Sequence, residues 1–279
     1  TDYERQKKLF LDQVDFALAH DKPVMIHARD AYEEILEILE PLKEARLPLG
    51  SRASKLLEAK DLNKDQSYFL WTLTQPQLRH CLFPIGDYLK SEVRKVAMDA
   101  GLPVAEKPDS QGLCFVGKVD FQDFLRGILP MREGVVLNSD GEVLGHHNGA
   151  EFFTIGQRHG LNIGGMPEPI YVAERNISTN TLVVAKNDTD PILYRKELEA
   201  SNLNWITGAE PKLPLNCLAR IRYRQPLQNC TIELGANRCE LAAGSLKVSF
   251  NEPQRAVAPG QSVVFYKEDG ELLGGGIIR

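Results

Sequence analysis

The chain has 279 residues, 43% hydrophobic and 25% charged, with a formal net charge of −5. It is long enough for two domains, and its composition is that of an ordinary globular protein. With no apolar run of membrane-spanning length and no secretory leader pattern at Thr1, it reads as a cytoplasmic protein with no membrane partner. The negative balance argues against nucleic-acid binding through overall charge and leaves a local basic face as the available route. Residues 1–48 hold eleven Asp and Glu against seven Lys and Arg, so most of the acidity sits in that segment. The five cysteines, Cys81, Cys114, Cys217, Cys230 and Cys239, include no C-x-x-C pair and suggest neither a disulfide framework nor a zinc site.

Residues 4–20 place Leu9, Phe10, Val14, Ala17 and Leu18 near helical spacing. Val24-Met25-Ile26-His27 follows as a short buried-strand pattern, and a second helix runs from about Ala31 to Leu39. This is one helix–strand–helix unit of an α/β fold, with His27 at the strand end where such folds present ligands. A lone histidine there is more often a core or loop residue than a metal ligand, because a metal site needs three or four partners. The stretch DYERQKKLFLDQVDFALAHDKPVMIHARDAYEEILEIL resembles the TatD-like metal-dependent deoxyribonucleases, in which the histidine after this strand helps bind divalent metals. His27 matches that histidine. The family's other ligands have no counterparts in the sequence, so hydrolase activity is not expected.

Pro41 to Ser54, rich in proline and mixed charge, reads as a join. Lys60–Leu73 predicts a capped amphipathic helix, with Lys64, Asp65 and Gln66 on a solvated face. A second helical piece covers Thr74–Leu82, a turn covers Pro84–Asp87, and a helix over Lys90–Ala100 is stopped by Gly101 and Pro103. Asp109–Gly117, DSQGLCFVG, then carries Cys114 between two glycines on a segment leaving a loop. That is a seat for a reactive thiol, although free cysteines are more often inert packing. Asp120 is positioned to cap a helix whose Phe121, Phe124, Leu125 and Ile128 form an apolar stripe, most simply core.

From Gly134 the apolar period changes to two. Val135–Leu137 and Glu142–Leu144 flank a turn, Tyr171–Ala173 can pair with Thr181–Val184, and further short strands follow at 217–224, 230–234, 245–250 and 262–266. A closed antiparallel barrel accommodates them. In the first of these strands Arg220, Arg222 and Arg224 alternate with Ile221 and Tyr223, which predicts three guanidinium groups on one face. Such a row suits phosphate oxygens, and it equally suits a solvated outer face. Phe152–Gly165 adds Arg158 and His159 on a glycine-rich loop that lacks the G-x-x-x-x-G-K-[ST] form of a phosphate loop.

Seven motifs in order link the chain to one family: NKDQSYFL at 63–70, LFPIGDYLKSEVR at 82–94, DSQGLCFVG at 109–117, FTIGQRHGLNIGG at 153–165, RIRYRQ at 220–225, PGQSVVFY at 259–266 and GGGII at 274–278. From about Leu56 onward the sequence resembles the tRNA-specific 2-thiouridylases, which replace the C2 oxygen of the wobble uridine, position 34, by sulfur. The resemblance implies ATP-dependent adenylation of that oxygen, then delivery of sulfur from a cysteine persulfide, with a second cysteine helping its release. A sulfur-donor protein supplies the persulfide. Cys114 matches the persulfide cysteine, and the family's tRNA contacts fall on Lys64, Asp65, Gln66, Arg222, Tyr223 and Gln261. The family's SGGVDSS-type ATP loop and first catalytic cysteine have no match in the sequence. The resemblance therefore implies the sulfur-carrying and tRNA-binding part of the enzyme, with ATP as a family requirement whose binding loop is missing.

The fold expected is an α/β fragment plus all-β. It comprises a TatD-like helix–strand–helix piece (1–48), a helical remnant of the ATP-pyrophosphatase-type domain with the cysteine loop (49–116), a small central tRNA-binding domain (117–166) and a C-terminal antiparallel β-barrel (167–279). The function expected is that of an incomplete tRNA-uridine 2-sulfurtransferase, with a non-catalytic tRNA-binding module as the alternative and a remnant of a metal-dependent nuclease as the weaker one.

Overall fold

The computed structural model describes residues 54–79, 81, 83–102, 105–107, 121–161, 163–235 and 244–279, with scattered helical positions between 4 and 15. The expected N-terminal strand with His27, the segment around Cys114, and Cys239 lie outside these residues.

Two sheets organise the described chain. In the smaller, β2 (Gly134–Asn138) and β3 (Val143–His147) form the expected hairpin, while β4 (Tyr171–Asn176) and β5 (Thr181–Ala185) form the second expected pair. β2 and β5 run parallel, giving the order β3-β2-β5-β4. Alternate residues Val136, Val172, Leu182 and Val184 are buried and meet Phe153, Leu161 and Ile170 from the connecting loop, so the period-two pattern is spent on a one-sided core.

The larger sheet is a closed antiparallel barrel. Its strands are β6 (Tyr194–Trp205), β7 (Leu215–Arg220), β8 (Gln228–Leu234), β9 (Leu246–Arg255), β10 (Ser262–Tyr266) and β11 (Glu271–Ile278). They lie in the order β11-β10-β7-β8-β9-β6, and a further pairing of β11 with β6 closes the ring. Closure leaves no exposed sheet edge, and Ala219, Ile221, Cys230, Ile232, Val248, Phe250, Val263 and Phe265 fill the interior. The glycine run in β11 has a steric reason: a Cβ on Gly275 would stand 2.9 Å from the Trp71 ring and 2.7 Å from the Val263 carbonyl.

Residues 54–78 are built onto this barrel. β1 (Leu56–Leu57) pairs with β11, and Tyr68, Trp71 and Leu78 bury against Ile206, Val264, Tyr266 and Leu272. The Tyr68 hydroxyl donates to the carbonyls of Ile221 (3.2 Å) and Ser262 (3.0 Å), and the Trp71 indole N–H donates to Ser262 Oγ (3.0 Å).

Several expectations are corrected. Lys60–Leu73 is a string of turns with one 3-10 helix, Ser67–Phe69, and not an amphipathic helix. Asp61 Oδ1 takes the Asn63 N–H and Asp65 Oδ1 takes those of Ala59 and Ser67, so side chains outcompete the helical ladder. The helix Phe121–Arg126 forms, but Phe124 and Ile128 are 41% and 65% exposed, so this stripe is not core among the described residues. β7 ends at Arg220, before the expected Arg224. The long strand β6 was not expected, because Arg195, Lys196, Glu197 and Glu199 break its apolar pattern. The pair β4–β5, expected within the barrel, belongs to the smaller sheet, and the change of sheet falls between Ala185 and Tyr194.

Candidate nucleic-acid interface

The turn after β7 decides where the three arginines go. Residues 221–224 leave the ladder, the Ile221 N–H donates to Gln225 Oε1 (2.9 Å), and Arg224 takes a left-handed φ of 65°. Period-two geometry stops at Arg220, so the expected row of guanidinium groups does not form; each arginine enters a different environment.

Arg220 is 5% exposed. It pairs with Glu58, lies 3.8 Å from Asp65 Oδ2 and sits over the Tyr266 ring at 4.7 Å. Asp65 is itself only 3% exposed, and its Oδ2 accepts from Ser67 Oγ (2.5 Å), whose oxygen lies 3.0 Å from the Tyr266 hydroxyl. Burial pushes the Glu58 carboxyl above its ordinary range more than Arg220 pulls it down, and burial likewise pushes the Tyr266 phenol up. Asp65 therefore shapes the loop that carries Lys64 and Gln66, with its own carboxylate turned inward.

Arg222 is half-buried and donates through Nη2 to the carbonyls of Ile155 (2.6 Å) and Ala256 (3.2 Å), joining the loop before β4 to the end of β9. Gly156 makes room for it: at φ 86°, a Cβ there would stand 2.7 Å from Ala256 Cβ and 3.0 Å from Arg222 Nη2. Desolvation, then repulsion from Arg255, lowers the pKa of Arg222. Arg255 in turn lies over the Tyr171 ring at 4.6 Å. Two guanidinium groups thus lie close enough to repel each other where the two sheets meet.

Arg224 is exposed, whereas Tyr223 is partly buried against the cluster that contains Tyr68 and Tyr266. Gln66 Nε2 donates to the Tyr223 hydroxyl at 2.8 Å, a contact between residues 157 apart in sequence. Phe69, 53% exposed, packs on the Tyr223 ring at a centroid distance of 4.9 Å, and the Arg224 guanidinium lies 5.0 Å from the same centroid. Lys64 is exposed on the same loop as Gln66. Gln261 is exposed on the turn before β10, beside Ser262, which holds Tyr68 and Trp71. The structure thus unites Gln66 with Tyr223 and sets Asp65 and Arg222 partly or wholly into the framework. Phe69 and Arg255 were not singled out from sequence; an aromatic following the KDQ turn was the available signal for Phe69. Arg158 and His159 are exposed and line a cleft of about 490 Å³ with Met166, Pro167 and Glu168.

The N-terminus of the helix Lys90–Asp99, where phosphate oxygens bind by preference, is already taken: Glu92 accepts the Leu89 N–H (2.6 Å) and Asp61 the Lys90 N–H (2.9 Å). Among the described residues no helix is long and apolar enough to cross a membrane.

Three family models match successive parts of the chain. Residues 44–118 match the tRNA methyl transferase HUP domain, 122–186 the tRNA methyl transferase PRC-barrel domain, and 195–278 the aminomethyltransferase beta-barrel domain. The tRNA-specific 2-thiouridylase MnmA of Xanthomonas campestris pv. campestris is 41% identical over 268 residues, covering 91% of this chain and 69% of that protein. The chain belongs to the tRNA-specific 2-thiouridylase family. A second 2-thiouridylase, from Geobacillus thermodenitrificans, is 46% identical over 234 residues, covering 84% of the chain, and one from Nitrosococcus oceani is 46% identical over 238 residues. The chain spans 61% of the length of the Geobacillus 2-thiouridylase and 63% of the Nitrosococcus one. Residues 1–54 match a different model, the TatD related DNase, overlapping the HUP-domain match from residue 44.

Proposed function

We propose that the chain is the sulfur-delivering and tRNA-binding part of a tRNA-uridine 2-sulfurtransferase. The observation that carries the reading is the contact of Gln66 with Tyr223, which joins two segments distant in sequence into one exposed patch with Phe69, Lys64 and Arg224. An exposed ring, Phe69, packed on the partly buried Tyr223 beside a guanidinium suits an unstacked base, and the neighbouring arginines suit the backbone phosphates. Arg222 and Arg255 add positive charge at the meeting of the sheets, which supplies the local basic face that the net charge of the chain does not.

Chemistry in this reading belongs to Cys114. The outer sulfur of its persulfide attacks C2 of a uridine whose C2 oxygen has been turned into a leaving group by the part of the family protein that this chain does not span. The C–O bond breaks as the C–S bond forms. A second thiol then attacks the Cys114 sulfur, leaving Cys114 in a disulfide and the transferred sulfur on the base. Wobble-uridine tRNA is the substrate; a thiol reductant returns Cys114 from the disulfide to the thiol, and a sulfur-donor protein then restores the persulfide.

The test mixes this chain with a separately supplied nucleotide-activating domain, ATP, a persulfide donor and tRNA. The reading expects thiolated uridine, lost in Cys114→Ser while tRNA binding stays. Thiolation that persists in Cys114→Ser would leave the chain as a tRNA-binding module only.

A further inference from the structure

Cys217 and Cys230 are direct partners in the β7–β8 ladder, and their sulfur atoms lie 3.6 Å apart. Directly opposed residues of an antiparallel pair have Cα atoms about 4.5–5.5 Å apart, within the roughly 4.4–6.8 Å that a disulfide spans. Both side chains belong to the inward row of the barrel with Leu215, Ala219 and Ile232, while Asn216 and Thr231 bond across the outer face at 2.8 Å. The backbone register that a disulfide needs is therefore already in place, and only side-chain rotation separates the thiols from bonding distance. A cleft of about 890 Å³ is lined by both cysteines together with Leu215, Thr231 and Lys267, so a small reagent has a way in.

We infer that Cys217 and Cys230 are a dithiol–disulfide couple that a low-molecular-weight disulfide oxidises to a cross-strand bond. The Cys217 thiolate attacks one sulfur of the reagent, forming a mixed disulfide and releasing one thiolate. Cys230 gives up its proton to solvent and attacks the Cys217 sulfur, releasing the second. Two protein thiols are oxidised and one small disulfide is reduced to two thiols. The hydrogen bond with Cys230, then burial, holds the Cys217 thiol above its ordinary value, so exchange starts from a small thiolate fraction and quickens as pH rises. The new bond closes a ring over residues 218–229, which contains Arg222, Tyr223 and Arg224. The couple sits at the base of the connection that carries Tyr223 and Arg224.

The test treats the full chain with glutathione disulfide at alkaline pH, follows intact mass, and maps peptides without reduction. The expected result is loss of two hydrogens and a peptide joining Cys217 to Cys230, reversed by dithiothreitol and missing in Cys217→Ser. A variant with Cys81, Cys114 and Cys239 replaced by serine retains only this pair and should form the same bond. If it does not fold, the peptide map of the unaltered chain decides. Two thiols that remain open to alkylation after treatment, or a stable mixed disulfide at Cys217 with Cys230 still alkylated, would overturn the inference.

Discussion

Segments 58–69 and 220–224 meet twice, and the two meetings are physically opposite. One, Glu58, Asp65, Ser67, Arg220 and Tyr266, is buried, ion-paired and hydrogen-bonded. The other, Gln66, Phe69, Tyr223 and Arg224, is built from their near neighbours in sequence and keeps an aromatic ring and a guanidinium in solvent. The difference teaches that residue type alone does not assign a role here. Arg220 and Arg224 belong to one motif, yet one fixes the loop to the barrel and the other is left for a partner. Substitutions in the first cluster should change stability, and those in the second should change affinity.

The largest effect is expected for Arg220→Met. Removing one member of a buried ion pair costs about 3–5 kcal/mol, because Glu58 and Asp65 lose their counter-charge without regaining water. Chemical denaturation should register the loss as a lower midpoint, and a midpoint equal to wild type would break the comparison at its buried end. Asp65→Ala comes next, at about 1–3 kcal/mol, since it strips acceptors from the N–H groups of Ala59 and Ser67.

At the other meeting, Tyr223→Ala should cost about 1–3 kcal/mol of tRNA binding through lost stacking, measured beside chemical denaturation because the ring also packs against the cluster of Tyr68 and Tyr266. A titration that finds unchanged affinity would remove Tyr223 from the interface. The smallest effect is a matter of pH and lies away from both clusters. His147 is buried, accepts the Gly149 N–H at Nδ1 (3.0 Å), and has its pKa held below the ordinary 6.5, chiefly by burial. The unfolded chain therefore binds this proton more readily, so stability is complete above pH 6.5 and falls as pH drops through the folded value. Melting curves of His147→Gln should lose less stability on acidification than wild type, and equal slopes would contradict the assignment.

Most of the barrel was legible because inward residues such as Ile232 and Val248 alternate with polar ones, β10 is a short apolar run, and turn formers mark the strand ends. β6 escaped because its charged residues sit on the outer face of the closed sheet and interrupt the run that a buried strand would display. The docked segment 60–73 misled for a related reason. Tyr68 and Trp71 are spaced for the barrel surface they pack on, while Asp61 and Asp65 spend their carboxylates on turns. The site was half legible. Motifs named Gln66 and Tyr223 separately, whereas their contact, the inward turn of Asp65 and the divergence of the three arginines follow from β7 ending at Arg220, which alternation in RIRYRQ does not reveal.

The central claim, that the Gln66–Phe69–Tyr223–Arg224 patch binds tRNA, is tested most directly by the salt dependence of tRNA affinity for wild type and Arg224→Gln at matched stability. The account predicts weaker binding and a slope of log affinity against log salt shallower by about one unit, one phosphate contact having been lost. Identical affinity and slope in the two proteins would contradict it.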